Sequence, residues 1–305
     1  MNERLEHAFI KTEIENWNDF FLLHQRFLSR FVFRGQGNSE WKLQTSLERL
    51  IDRIHPHYID KSLPASYEKR MLEEFIWKFP LYNKEINLGK EEHIEWLALM
   101  QHYGSPTRML DFSNSLFVAL FMAIDGYSFD RSTIWAINVN RLNMKIFELF
   151  RAEYDTNVAV GKELTNYIYS RANKAIANSM RIEPLEKELY IVEPNICNER
   201  LNRQQGLFVI PANIENSFES NLFSLTNKNQ TFNMPIKKLI TYSNSLRYSQ
   251  TDIALMRIDI PKCLNFELTK VLKQMNITAE TLYPGIEGLA KSMSCIRNAM
   301  GDYKH

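Results

Sequence analysis

Residues 101–126 read QHYGSPTRMLDFSNSLFVALFMAIDG, and the stretch divides into two unlike halves. From Gln101 to Phe112, functional side chains crowd into a short segment containing Gly104, a natural helix end, and Pro106, which forbids the helix to continue. From Leu116 to Ile124 the chain is apolar without a break, and Gly126 closes the run. A helix that is apolar all round belongs at the centre of a fold, and this one is far shorter than the ~20 residues that span a bilayer. Ser113 and Ser115 are its N-cap candidates. The preceding helix is expected over Glu91 to Tyr103, burying Ile94, Leu97, Ala98 and His102. The sequence thus predicts a polar loop held between two helices, the second of them central.

Working outward, Glu13 to Leu28 places Ile14, Trp17, Phe20, Phe21 and Phe27 at helical spacing. Ser66 to Phe79 does the same with Tyr67, Leu72, Phe75, Ile76 and Phe79, and Pro80 ends it. Phe31 to Phe33, Thr133 to Val139, Leu189 to Glu193, Gly206 to Pro211 and Ala254 to Ile260 are rich in β-branched and aromatic residues and read as strands. A helical insert of about 142–188 separates the second strand from the third, with a break at Asn157 to Gly161. Helices first and strands mostly later is an α+β order, not a regular βαβ alternation. With no linker and no internal repeat, one compact domain over 1–305 is expected, its helices packed on a mainly antiparallel sheet.

The 305 residues are 45% hydrophobic and 24% charged, which excludes disorder and low complexity. Against 36 acidic residues stand 37 basic ones, so no global field draws the chain to nucleic acid or to an anionic membrane. Cys197, Cys263 and Cys295 are far apart and odd in number, which fits a reducing cytoplasm. The opening MNERLEHAFI lacks the apolar core of an export signal. P-loop, HExxH, GxSxG and paired CxxC signatures are absent, and the His residues are scattered, so neither those enzymes nor a structural metal is expected.

Two polar segments remain. The first is Phe33-Arg34-Gly35-Gln36-Gly37, continuing through Trp41 to Thr45 and Ser46. An Arg at a strand end can present its planar fork to a phosphate or carboxylate, and flanking glycines let a ligand approach the backbone. The same residues also make a tight turn with a surface ion pair. The second is the 101–112 segment with His102, Tyr103, Arg108 and Asp111. Its plainer reading has Asp111 capping the apolar helix, Arg108 pairing with Asp111, and His102 inside. If the segments serve one site, they must converge on one pocket.

Together these segments resemble the FRG domain, named for its Phe-Arg-Gly signature. The resemblance rests on FRGQ at 33–36, TSLER at 45–49 and QHYGSPTRMLDF at 101–112. It continues in NERLNRQQGLFVIP at 198–211 and ITAETLYPGIEGLAKSM at 277–293, and so spans nearly the whole chain. It implies a bacterial cytoplasmic protein of phage-defence or toxin-like systems. A further resemblance is to ADP-ribosyltransferases. It lies in the Arg-Gly pair at the end of an early strand and in Arg200-x-x-x-Gln204-Gln205-Gly206-x-Phe208 before a late one.

That second resemblance implies an ADP-ribosyltransferase-like core with helical insertions, using NAD as substrate and no metal. Arg34, Gly35, Gln36, Tyr103 and Arg108 would bind NAD, with Thr45 or Ser46 supporting the nicotinamide ribose. His102, Asp111, Gln205 and Glu193 are the candidate catalytic residues. Such enzymes usually carry Glu where Gln204 and Gln205 stand here; since Gln cannot take a proton, the base would be His102, Asp111 or Glu193. The acceptor would be RNA, DNA or protein, with an inhibitor protein of antitoxin type as a further partner and no membrane. Arg171, Lys174, Arg181, Arg200 and Arg203 are the phosphate-contact candidates if the acceptor is a nucleic acid. The competing hypothesis is a non-catalytic module that senses a nucleotide or phosphate through Arg34. A hydrolase ranks last, because the acidic residues do not cluster as two-metal hydrolysis requires.

Overall fold

The structure, a computed structural model, describes residues 8–27, 30–126, 129–154, 161–180, 187–196, 198–226, 231–245 and 253–300. The chain opens with β1 (Ala8–Glu13), α1 (Trp17–Phe27) and β2 (Phe31–Gln36), then runs through α2 (Ser46–Ile54), α3 (Leu63–Lys78) and α4 (His93–His102). β3 (Leu110–Ser113), α5 (Leu116–Ile124) and β4 (Arg131–Asn138) follow, and α6 (Val139–Tyr154) and α7 (Lys162–Ser179) form the expected helical insert. Its expected break falls largely outside the described residues, with Gly161 preceding α7. Next come β5 (Leu189–Val192), α8 (Glu199–Arg203), β6 (Gly206–Pro211), α9 (Phe218–Phe223), β7 (Thr231–Asn233), α10 (Ile236–Ser245) and β8 (Ile253–Pro261). α11 (Asn265–Gln274), α12 (Ala279–Leu282) and α13 (Gly285–Met300) close the described chain.

One sheet joins the strands in the order β5-β6-β3-β2-β4-β8-β1-β7. The ladders from β5 across to β8 are antiparallel, whereas β1 pairs in parallel with both β8 and β7. The result is one compact α+β domain on a mixed, mainly antiparallel sheet. Strand alternation sorts its side chains into two faces. On one face Phe33, Ile134, Ala136 and Ile258 pack against α5 and α1, and farther along Tyr190, Phe208 and Ile210 pack against α4 and α7. On the other, Val32, Phe112, Trp135 and Val209 are covered by Leu43, by Leu142 of α6, and by Phe218 and Leu222 of α9. The insert supplies Ile168, Ala172 and Ile176 to the core and is integral to the fold.

The apolar run forms α5 as expected, and Ser115, not Asp111, caps it: its Oγ accepts from Val118 N at 3.3 Å. α5 lies directly on β2 because residue 35 has no side chain. A Cβ on Gly35 would stand 2.0 Å from Ala119 O and 2.6 Å from Ala123 N. The reading of Gly35 as room for a ligand is therefore corrected, since the helix occupies that space. A second correction concerns 110–113, expected as loop: it is β3, third in the sheet order, and too short to show a period in sequence. Among the described residues no helix is long and apolar enough to cross a membrane.

Candidate functional site

The two motif segments meet where β2 and β3 part. Their pairing places Phe33 opposite Ser113, and beyond it Arg34 takes the place of the ladder. Its Nη1 donates to Asp111 O at 2.7 Å and lies 3.9 Å from Asp111 Oδ2. The Arg34 side chain is 22% exposed and that of Asp111 59%, so this pair faces solvent at the middle of the sheet. Alternation sets Arg34 on the face of Trp135, its direct partner on β4, and sets Asp111 opposite Phe208 on β6.

β6 brings the third motif alongside. Gln205, exposed between α8 and β6, has φ of +46°, in the left-handed region that a non-glycine residue adopts only when its surroundings enforce it. The end of β3 enforces it here. Ser113 Oγ donates to Gln204 O at 2.8 Å, and Asn114 N donates to Gln205 O at 2.9 Å. Gly206 follows because a Cβ there would meet Leu201 Cδ1 at 2.5 Å. Asn114 also extends Nδ2 to Glu193 Oε1 at 3.4 Å, just past the end of β5. The chain after Glu193 is anchored by buried Glu95 of α4, which accepts from Asn195 N at 2.7 Å and Ile196 N at 3.0 Å. Glu95 also accepts from the Tyr169 hydroxyl, and burial together with that bond pushes the Tyr169 pKa up. The sequence reading passed over Asn114 and Glu95; Ser113-Asn114-Ser115 ahead of a helix was read only for its caps.

Several residues expected at a ligand instead hold the protein together. Thr45 is the N-cap of α2, its Oγ1 accepting from Glu48 N at 3.1 Å while Glu48 Oε2 accepts from Thr45 N at 2.6 Å. The Thr-x-x-Glu spacing is a capping-box signal that would have placed this helix. Glu48 also accepts from Phe218 N, and burial pushes its carboxyl pKa up. Ser46 Oγ exchanges hydrogen bonds with the main chain of Thr107, tying α2 to the second motif. Gln36 bridges Trp135 Nε1 at 2.8 Å and Lys42 O at 3.2 Å.

Arg108 is the sharpest correction. It was expected to pair with Asp111 or to bind NAD, yet it is fully buried and pairs with Glu68 of α3, itself fully buried. Its Nε lies 2.8 Å from Glu68 Oε2, its Nη2 donates to Glu68 and Ser179, and its Nη1 reaches Ala212 O at 3.2 Å. No face of it is left for a ligand.

His102, expected inside, is exposed at the end of α4, its ring edge-on to exposed Tyr103 at 4.9 Å. It lies near Glu287 of α13, whose carboxyl is held below the usual range by a hydrogen bond from Lys291, with Arg200 and His102 adding to the effect. The basic candidates are engaged as well. Arg203 pairs with Glu199 at 2.7 Å, Arg200 lies over the Tyr283 ring, and Arg171 lies over Tyr167. Lys174 is exposed on α7, and Arg181 lies outside the described residues.

The arrangement is thus a partly exposed arginine side chain beside a solvent-facing carboxylate, with a constrained Gln one strand over and a second carboxylate just past the end of β5, two strands from β3. It can hold an anion and offers acids for proton transfer. The fold and these contacts define an α+β protein whose polar site lies where central strands separate. The family model of the FRG domain matches residues 29–131. That span runs from just before β2 to the first residue of β4; it contains Arg34 and Asp111 but not Glu193 or Gln205. The resemblance read across nearly the whole chain is therefore matched over its first blocks. No curated protein and no solved structure matches the chain.

Proposed function

We propose that the chain is an NAD-dependent ADP-ribosyltransferase acting on a macromolecular acceptor, RNA, DNA or protein, from a core of transferase type. The observation that carries the reading is the convergence of three separated motifs on the adjacent strands β2, β3 and β6. Arg34, whose side chain is partly exposed, holds the diphosphate or ribose of NAD. Asp111, His102 and Tyr103 are exposed, and in this reading they serve the substrate from the rim of the site. The enforced backbone of Gln205 supports a working role for its side chain, since such strain persists where function needs it. By composition and cysteine usage we place the protein in the cytoplasm, as a toxin-like or phage-defence effector that an antitoxin partner restrains.

Incubation with labelled NAD and separate pools of RNA, DNA and protein tests the reading: label moves to one pool, and Arg34→Ala abolishes the transfer. A second reading has a specific observation in its favour. With Gln at the position of the usual acid, and Thr45, Ser46 and Arg108 engaged in structure, the Arg34 site is also suited to hold a nucleotide or phosphate without turnover. Saturable NAD binding with no label transfer selects that reading.

A further inference from the structure

We propose that Asn114 is a positioning residue that holds Glu193 as the base of the transfer step, an assignment that rests on the NAD-transferase reading. Asn114 is exposed at the junction of β3 and α5. Through its main chain it holds the Gln205 turn, and its carboxamide reaches Glu193 Oε1. It is therefore the one described residue bonded both to the Gln205 turn and to the Glu193 side chain. Glu193 is itself fixed from the other side, since the two N–H groups after Pro194 are locked onto buried Glu95. An exposed carboxylate is ordinarily free to choose its rotamer; this one stands between a clamped chain and an amide.

The spacing suits a dinucleotide. Arg34 meets β3 at Asp111, and Asn114 lies three residues further on, about 10 Å at the rise of an extended strand. A ligand whose diphosphate sits at Arg34 has the length to bring its nicotinamide ribose toward Glu193. In the step itself the bond from the nicotinamide nitrogen to ribose C1′ breaks, and nicotinamide leaves with the electron pair. The acceptor oxygen or nitrogen bonds to C1′, and its proton passes to the Glu193 carboxylate. Gln205 takes no proton and is left to hydrogen-bond ribose or acceptor.

Asn114→Ala removes the carboxamide but keeps the main-chain bond to Gln205, so it tests the side-chain contact without undoing the turn. NAD affinity by titration calorimetry and label-transfer rate are measured for the wild type, Asn114→Ala, Glu193→Gln and the double variant. NAD affinity is expected to be unchanged in all of them. Glu193→Gln should slow transfer by about a hundredfold or more, as loss of a general base does. Asn114→Ala should slow it by roughly tenfold, and the double variant should be no slower than Glu193→Gln alone, because coupled residues are not additive. Full-rate transfer by either single variant, or losses that multiply in the double variant, overturns the assignment and leaves the transferase reading standing. Wild-type protein that transfers no label overturns both.

Discussion

Two arginines from the two motif segments end in opposite situations. Arg108 is fully buried, engaged by Glu68, Ser179 and two main-chain carbonyls, and joins α3, α7 and the end of β6. Arg34 donates to the main chain of the parted strand and keeps part of its side chain in solvent beside an exposed carboxylate. In sequence both stand beside an acid three residues away or in a neighbouring motif, and both have the residue type that binds phosphate. The difference lies in what surrounds them. A buried charge must be matched atom by atom or the fold fails, whereas a partly exposed one can exchange water for a ligand.

The largest expected effect tests the buried member. Glu68→Ala leaves the Arg108 charge uncompensated in the interior and should cost about 3–5 kcal/mol of stability in urea unfolding, while Arg34→Ala, which removes a partly exposed side chain and its charged hydrogen bond, should cost about 1.5–3 kcal/mol. Similar losses in the two variants would erase the distinction between the arginines. Next comes Arg34→Lys, measured for NAD binding. If the fork is used, losing its charged hydrogen bonds costs about 1.5–3 kcal/mol, roughly a ten- to hundredfold weakening, with unchanged thermal unfolding. Full affinity in the Lys variant would mean that a point charge suffices.

Gly35→Ala should cost about 1–3 kcal/mol, because the new methyl group meets the main chain of α5 and not a movable side chain. Since Gly35 is bonded to Arg34, NAD affinity should fall with it; stability lost without any change in binding would uncouple the Arg34 position from the helix. The smallest effect is at Gln205. Gln205→Gly relieves the positive φ and should raise stability by up to about 1 kcal/mol, whereas Gln205→Ala keeps the strain and only lowers label transfer. A Gly variant that is less stable than the wild type would show that the turn is not strained.

Long periodic elements were legible. The apolar run 116–124 became α5, and the strand readings at 31–33, 133–139, 189–193, 206–211 and 254–260 each fall on a strand, within a few residues at each end. β1, β3 and β7 were not legible, for different reasons. β3 has four residues and draws its identity from β2 and β6 on either side, and β7 is a three-residue strand, too short to show a period, whose pairing is with β1. Of the site, the convergence of Arg34 with the 101–112 segment was expected from two polar clusters in an apolar frame. The partners of each residue were not. Glu68 is 40 positions from Arg108 and sits in an ordinary amphipathic helix, so no local pattern connects them.

Periodicity, caps and breakers act over a few residues, and the sequence alone therefore determined the α+β class, the central helix and the two motif-bearing segments. Burial is a property of what packs around a side chain. Only the tertiary structure could decide that Gly35 serves a helix contact, that Arg108 belongs to the core, that His102 lies outside, and that Asn114 connects Glu193 with the Gln205 turn. Each of these depends on groups brought together from distant parts of the chain, and their energies exist only once the sheet has formed.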